Sequence, residues 1–284
     1  MFIKPMLLQY AKDNLPFDHP DYIAELKLDG IRMIVSNIEE LKLYTRHHNE
    51  VTAIYPDLLQ ACPVPKGTVL DGELIVTDDQ GRPDFEACMT RFKSRKSTYS
   101  VQFCAFDIIY HRGIDVTAMT LTQRKQLLEE AFQETEYYKK VRVINGSAVT
   151  FFDLVKANGI EGIVLKKKSS RYEKGSRSWS MQKVIAYDQD EVVITGYSKK
   201  DFGWLIGKGD GEQIRPLGIM ELGISGNHRK AMYPILKNSQ VGESRDHVYV
   251  DPRIHCRVKH RGYYKSGLMR LPVLDEVLCL NGKM

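Results

Sequence analysis

The chain has 284 residues, 43% of them hydrophobic, which is enough to bury a substantial core in one large domain or two ordinary ones. It carries 41 basic and 36 acidic residues for a net charge of +5, so a basic surface for a polyanionic partner must be local. The five cysteines, Cys62, Cys88, Cys104, Cys256 and Cys279, form no CxxC pair, which argues against a disulfide framework or a zinc site and for reduced, mostly buried thiols.

At the start, MFIKPMLLQYAKDNL is broken by Lys4, Pro5 and Gln9, and its apolar run is too short for a secretory signal. No later segment approaches the ~20 apolar residues of a membrane span, so the expectation is a cytoplasmic protein with no membrane partner. Next comes ELKLDGIRMIV, where Glu25, Lys27 and Asp29 alternate with Leu26 and Leu28 as in a strand with one charged face. Asp29-Gly30 reads locally as a tight hairpin turn into Ile31, Met33 and Val35. On that pattern alone, an ordinary hairpin with a solvated charged face is a sufficient account.

Further strand-like runs follow at LKLYT, TVLDGELIVT, VQFCAFDIIY, VRVI and GIVLKK, each bounded by turn formers. Between them TLTQRKQLLEEAFQ has a helix-start threonine and apolar residues at helical spacing, and AIYPDLLQA, PDFEACMTR and TFFDLVKAN are shorter helix candidates. These elements suit an α+β domain with a large sheet. The pattern turns polar at AYDQDE, which sets an expected boundary between residues 1–188 and 189–284. The second segment, with short strands VVITGYS, WLIGKG, IRPLGIMEL and IHCRVKHRGYY and one helical stretch, HRKAMYPILK, has the size of a small Greek-key barrel such as the OB-fold. Other small β barrels fit equally well. The one marked charge run, KKKSSRYEKGSR, is either a solvated loop or the lining of a phosphate-binding cleft.

Taken in order, KLDGIR, the arginine of LYTRHHN, LDGELIV, FCAFDIIY and EGIVLKKKSSRYEKGSRSWSMQKVI resemble the motif series of the ATP-dependent DNA ligases, part of the covalent nucleotidyltransferase superfamily. KxDG alone recurs by chance, but five motifs in order over ~160 residues do not. The resemblance covers Pro5 to about Lys183 and extends more loosely into the second segment. It implies an ATP-grasp-like nucleotidyltransferase (adenylation) domain with antiparallel sheets and flanking helices, followed by an OB-fold. The implied reaction seals nicked duplex DNA through a lysine-AMP and then a DNA-adenylate, with ATP and Mg²⁺ as cofactors and a monomer as the working unit.

By the same resemblance Lys27 is the nucleophile, which must lose its proton to attack an α-phosphate; neighbouring cations, a metal and desolvation all favour that. Glu25 and Asp29 on the same face would oppose it unless they are turned to other partners. Glu25 is expected on the nucleotide side, and Asp29 with Glu161 at the metal, since magnesium takes carboxylates with phosphate oxygens and water. Arg32 and Arg46 are expected to grip phosphate or ribose with planar forks. Glu73, an acid on an otherwise apolar strand, needs a hydrogen-bonding partner such as ribose hydroxyls, and Phe106 offers a stacking face for adenine. Lys166, Arg177 and Lys183 supply phosphate cations, although Lys166 could equally be an exposed cleft charge. Where the family shows Trp-x-Lys-x-Lys, an ungapped comparison places Met181, Lys183 and Ile185, so one expected cation is missing. Near the C-terminal end, CRVKHRGYYKSGLMRLPV offers Arg257, Lys259 and Arg270 for pyrophosphate or nucleic-acid backbone, with an exposed barrel strand as the plain alternative. RNA ligation, GTP-dependent capping and non-catalytic nucleic-acid binding are the competing functions.

Overall fold

The computed structural model describes residues 1–94, 96–209, 213–251 and 254–280. The chain divides into two compact units, Met1–Ala186 and Tyr187–Met284. The first unit runs β1 (Leu7–Tyr10), β2 (Tyr22–Leu26), β3 (Ile31–Asn37), β4 (Leu41–Thr45), α1 (Pro56–Gln60), β5 (Thr68–Ile75), α2 (Phe85–Lys93), β6 (Gln102–His111), β7 (Ile114–Asp115) and α3 (Leu121–Ala131). It continues through β8 (Tyr138–Lys140), β9 (Ile144–Asn145), α4 (Ala148–Ala157), β10 (Gly162–Lys167) and β11 (Arg177–Ile185).

These strands make two sheets, one ordered β1-β11-β10-β2-β9 and the other β4-β3-β5-β6-β7 with β8 against β6. The architecture is α+β and the pairing antiparallel, apart from β1 on β11 and β8 on β6, which are parallel. Strand alternation gives each sheet an apolar side and a polar side. In the second sheet Met33, Val35, Leu70, Leu74 and Phe103 pack with Cys88 of α2 and Leu128 of α3 in one core, while Arg32 and Glu73, opposite each other in the β3–β5 register, lie on the other side. In the first sheet Ala24, Ile163, Leu165 and Val184 pack with Val155 of α4. Their neighbours Glu25, Val164 and Lys183 share a row and, with Lys166 and Met181 one row along, a face.

The helix over 120–133 forms as α3, where Thr120 and Gln123 close a capping box. Its buried residues Leu121, Arg124, Leu128 and Ala131 recur at helical spacing. The Asp29-Gly30 hairpin does not form. β2 pairs with β10 and β9, β3 pairs with β4 and β5, and the chain between them crosses from one sheet to the other. Gly30 serves close approach rather than a turn, since a Cβ there would lie 2.1 Å from the Leu74 carbonyl oxygen. VRVI is mostly outside strands, and β1 and β11 form where the sequence pattern had not suggested strands.

The second unit contains β12 (Asp188–Ser198), β13 (Trp204–Lys208), β14 (Arg215–Met220), α5 (Gly226–Asn238), β15 (Gln240–Glu243), β16 (His247–Val250), β17 (Ile254–His260) and β18 (Val273–Leu280). The polar AYDQDE stretch is therefore largely the start of a long strand rather than a linker. β12 pairs with β13, β16 and β17 along its length, and β18 continues from β17, all antiparallel. Val192, Ile194, Trp204, Leu217, Met232 and Leu236 lie in its core. Among the described residues of both units, no helix is long and apolar enough to cross a membrane.

Candidate active site

The polar faces of the two sheets of the first unit line a cleft of 460 Å³. Lys27, Arg32, Arg46, Lys166, Arg177 and Lys183 outnumber Glu25 and Glu73 in its lining, a balance suited to a polyphosphate. Lys27 stands just past the end of β2, where its amide donates to the Gly162 carbonyl at 2.9 Å. Its ammonium lies 2.6 Å from Glu161 Oε1, with the lysine side chain 20% exposed and the glutamate 2%. Lys27 thus lines the cleft while its counter-ion Glu161 is buried and not among the lining residues.

Arg32 grips Asp71 through Nε and Nη2, both at 2.6 Å, and Nη2 also donates to the Met6 carbonyl. Tyr172 Oη donates to the same carboxylate at 2.5 Å. Burial works against the guanidinium charge, but Asp71 more than compensates and the net shift of its pKa is upward. Arg32 is therefore a fixed buttress of the cleft wall, with its fork largely committed. Across the strand pair from it, Glu73 has its carboxyl pKa pushed up to about 8, first by desolvation, against the pull of Lys27 and Arg32, and further by the like charges of Glu161 and Asp71.

Phe106 reaches the cleft because β6 bulges. Asp71 pairs with Asp107 and Gly72 with Ala105, leaving Phe106 as the extra residue. The Arg32 guanidinium lies 4.5 Å and the Lys166 ammonium 4.6 Å from its ring centre. The neighbouring Asp107 is fully buried and clamps Arg124 of α3 through two bonds of 2.7 and 3.0 Å. Beside Phe106, Glu25 (1% exposed) pairs through Oε2 with Lys166 at 2.6 Å and through Oε1 with Lys125 of α3. Burial lowers the Lys166 pKa, and the nearby Lys125 charge adds to that while Glu25 opposes it.

Arg46 projects from the turn after β4, exposed at the cleft rim. Arg177 donates to the Leu8 carbonyl, and Lys183 lies 3.8 Å from the Tyr10 ring centre, so both are placed by the parallel pairing of β1 with β11. Met181 lines the cleft, Ile185 is buried at 3% exposure, and Trp179 is 61% exposed and outside the lining. Asp29 departs from the expected arrangement. Like Glu161, it is not among the residues lining the cleft, although its neighbours Lys27, Leu28 and Gly30 are. In the second unit Arg257 pairs with Glu276 at 2.7 Å, Lys259 with Asp275 at 2.5 Å, and Arg270 lies 5.5 Å from the Tyr264 ring centre.

Sequence reasoning missed Asp71, Tyr172, Arg124 and Lys125. Asp71 carried a signal, two positions before Glu73 and hence on the same strand face. Arg124 and Lys125 looked like ordinary charges on an amphipathic helix. Among the described residues no group of three or more His, Cys, Asp or Glu could hold a metal alone. Glu161, a nearly inaccessible carboxylate beside the Lys27 ammonium, nonetheless suits as one oxygen ligand of a hard divalent cation whose remaining ligands are phosphate oxygens and water.

Comparison with known proteins adds the following. Residues 5–184 match the family model described as ATP dependent DNA ligase domain. The chain is 43% identical over 277 residues to the SPbeta prophage-derived DNA ligase-like protein LigB of Bacillus subtilis strain 168, covering 97% of this chain and 99% of that protein. It is 30% identical over 205 residues to the multifunctional non-homologous end joining DNA repair protein LigD of Mycobacterium tuberculosis strain H37Rv, covering 71% of this chain but 25% of that protein. Among solved structures, the ligase domain of M. tuberculosis LigD aligns with a TM-score of 0.59 at 24% identity, covering 97% of this chain and 95% of that one. A Lig E DNA ligase aligns at 0.68 and 21% identity, covering 98% and 100%. These two likenesses show the fold.

Proposed function

This chain belongs to the family of ATP-dependent DNA ligases, and from that premise we propose that the cleft adenylates Lys27 with ATP and passes the AMP to the 5′-phosphate at a nick in duplex DNA. The observation that carries the assignment is the Lys27 amine, open to a cation-lined cleft and 2.6 Å from a nearly inaccessible carboxylate. In the first step Lys27 Nζ, having given up its proton, attacks the α-phosphorus. A P–N bond forms, the P–O bond to the β-phosphate breaks, and pyrophosphate leaves. The nick 5′-phosphate oxygen then displaces Lys27, and the 3′-hydroxyl displaces AMP to close the strand.

Glu161 pairs with the Lys27 side chain in the resting cleft, and when its carboxylate turns to another cation the amine is released towards the phosphate. Glu161 would hold magnesium, which when bound would neutralise phosphate charge. Arg46, Arg177 and Lys183 bind the phosphates, and Arg32, braced by Asp71, orients phosphate or ribose. Glu73 pairs with ribose hydroxyls. Phe106 stacks on the base, and Glu25 accepts from its exocyclic amine. In the second unit, β12 pairs with three partners along its length, which supports a curled barrel of the OB type. Its Arg257, Lys259 and Arg270 would then contact pyrophosphate or the DNA backbone. A monomer acting in the cytoplasm completes the proposal.

Loading with α-labelled ATP or GTP, then offering nicked DNA, nicked RNA or a diphosphate RNA end, tests this. The expected result is an adenylate on Lys27, identified by mass, that is chased by nicked DNA. Lys27→Ala should lose both labelling and sealing by roughly a thousandfold or more. Labelling at another residue, or preferential loading from GTP, would overturn the proposal.

A further inference from the structure

We infer that Lys125, reaching from α3 to Glu25 behind the cleft, is a positioning residue that sets the discrimination between ATP and GTP. The inference rests on the reading of Glu25 as the contact to the base. Glu25 sits between two ammonium groups: Lys166, which lines the cleft, on Oε2, and Lys125, which does not, on Oε1. Each carboxylate oxygen has two acceptor sites, so one ion pair with each lysine fixes the plane of the group and still leaves capacity towards the cleft. Next to Lys166 lies the Phe106 ring, 4.6 Å from the ammonium to the ring centre. A stacking face beside a fixed acceptor suits a six-membered base edge that carries an amine, as adenine does.

Without an anchor behind it, the carboxylate could rotate and let Lys166 meet the cleft first. An ammonium at that point donates to the carbonyl of guanine as readily as the fixed carboxylate accepts from the amine of adenine. Lys125 removes that freedom, and its own base is rigid. The preceding residue, Arg124, is fully buried, clamped to Asp107, and donates to the carbonyls of Met119 at 2.7 Å and Ser170 at 3.0 Å. α3 is thereby fastened to β6, the strand that carries Phe106. The second anchor and the stacking ring thus share one rigid support.

The test measures enzyme-adenylate and enzyme-guanylate formation in the full chain with Lys125→Met, Lys125→Arg and Glu25→Gln, alongside the melting temperature. Lys125→Met is expected to reduce the ATP-over-GTP preference in kcat/KM at least tenfold, through a raised KM for ATP with a smaller change in kcat, because the base lies away from the reacting phosphorus. Lys125→Arg should restore most of the preference. If Glu25→Gln alters the preference and Lys125→Met lowers only the melting temperature, the role of Lys125 is overturned while base reading by Glu25 stands. If Glu25→Gln leaves the preference unchanged, the base-reading assignment itself falls, and the inference with it.

Discussion

Three ion pairs of nearly equal length set the interior of the first unit against the surface of the second. Arg124–Asp107 spans 2.7 Å with both side chains fully buried, Lys27–Glu161 spans 2.6 Å with only the lysine partly open, and Lys259–Asp275 spans 2.5 Å with 40% and 27% of the side chains exposed. Distance does not separate them, so environment must. In the interior each partner is held by the cost of leaving the other unpaired, whereas at the surface water and salt substitute for either. The lesson is a division of labour. The first pair fixes a framework, the second sets an amine at the cleft beside a buried carboxylate, and the third can be exchanged at little cost.

Breaking the buried pair should have the largest effect. Asp107→Asn strands the Arg124 charge and is expected to cost about 3–5 kcal/mol in urea unfolding; a loss below about 1 kcal/mol would mean that burial does not distinguish the pairs. An intermediate effect belongs to Glu73. Its carboxyl is raised from 4.5 to about 8 in the fold, so the folded state binds the extra proton between those values. Stability from this group is complete below pH 4.5 and is lost as pH rises through 8. In nucleotide-free protein, Glu73→Gln should therefore gain on the parent between pH 5 and 8, by roughly 3–4 kcal/mol. Parallel curves over that range would refute the assignment. The smallest stability effect is expected for Lys259→Ala, within about 1 kcal/mol. If Lys259 meets a backbone phosphate, however, the slope of log affinity for nicked DNA against log salt should fall by about 0.9. An unchanged slope would leave Lys259 as a surface charge only.

Local patterns carried much of the fold and of the cleft. The α3 helix was readable because a capping threonine and periodic apolar residues act within a few positions of each other. The face shared by Glu25 and its β2 neighbours followed from strand alternation. Asp29-Gly30 misled for an equally local reason: the dipeptide permits a turn, but Gly30 is used for its lack of a Cβ against the Leu74 carbonyl. β1 and β11 went unread because their parallel pairing joins segments far apart in the chain.

The order of motifs was sufficient to gather Lys27, Glu25, Glu73, Arg46, Arg177 and Lys183 as candidates for one site, and these residues line one cleft. What the sequence could not state is which opposite charge each of them would meet. The pairing of Glu25 with Lys125, of Arg32 with Asp71 and of Asp107 with Arg124 arises only when sheets and helices pack. The physical reason is that a charge's behaviour depends on the solvent removed from it and the partner set beside it, and both belong to the assembled molecule.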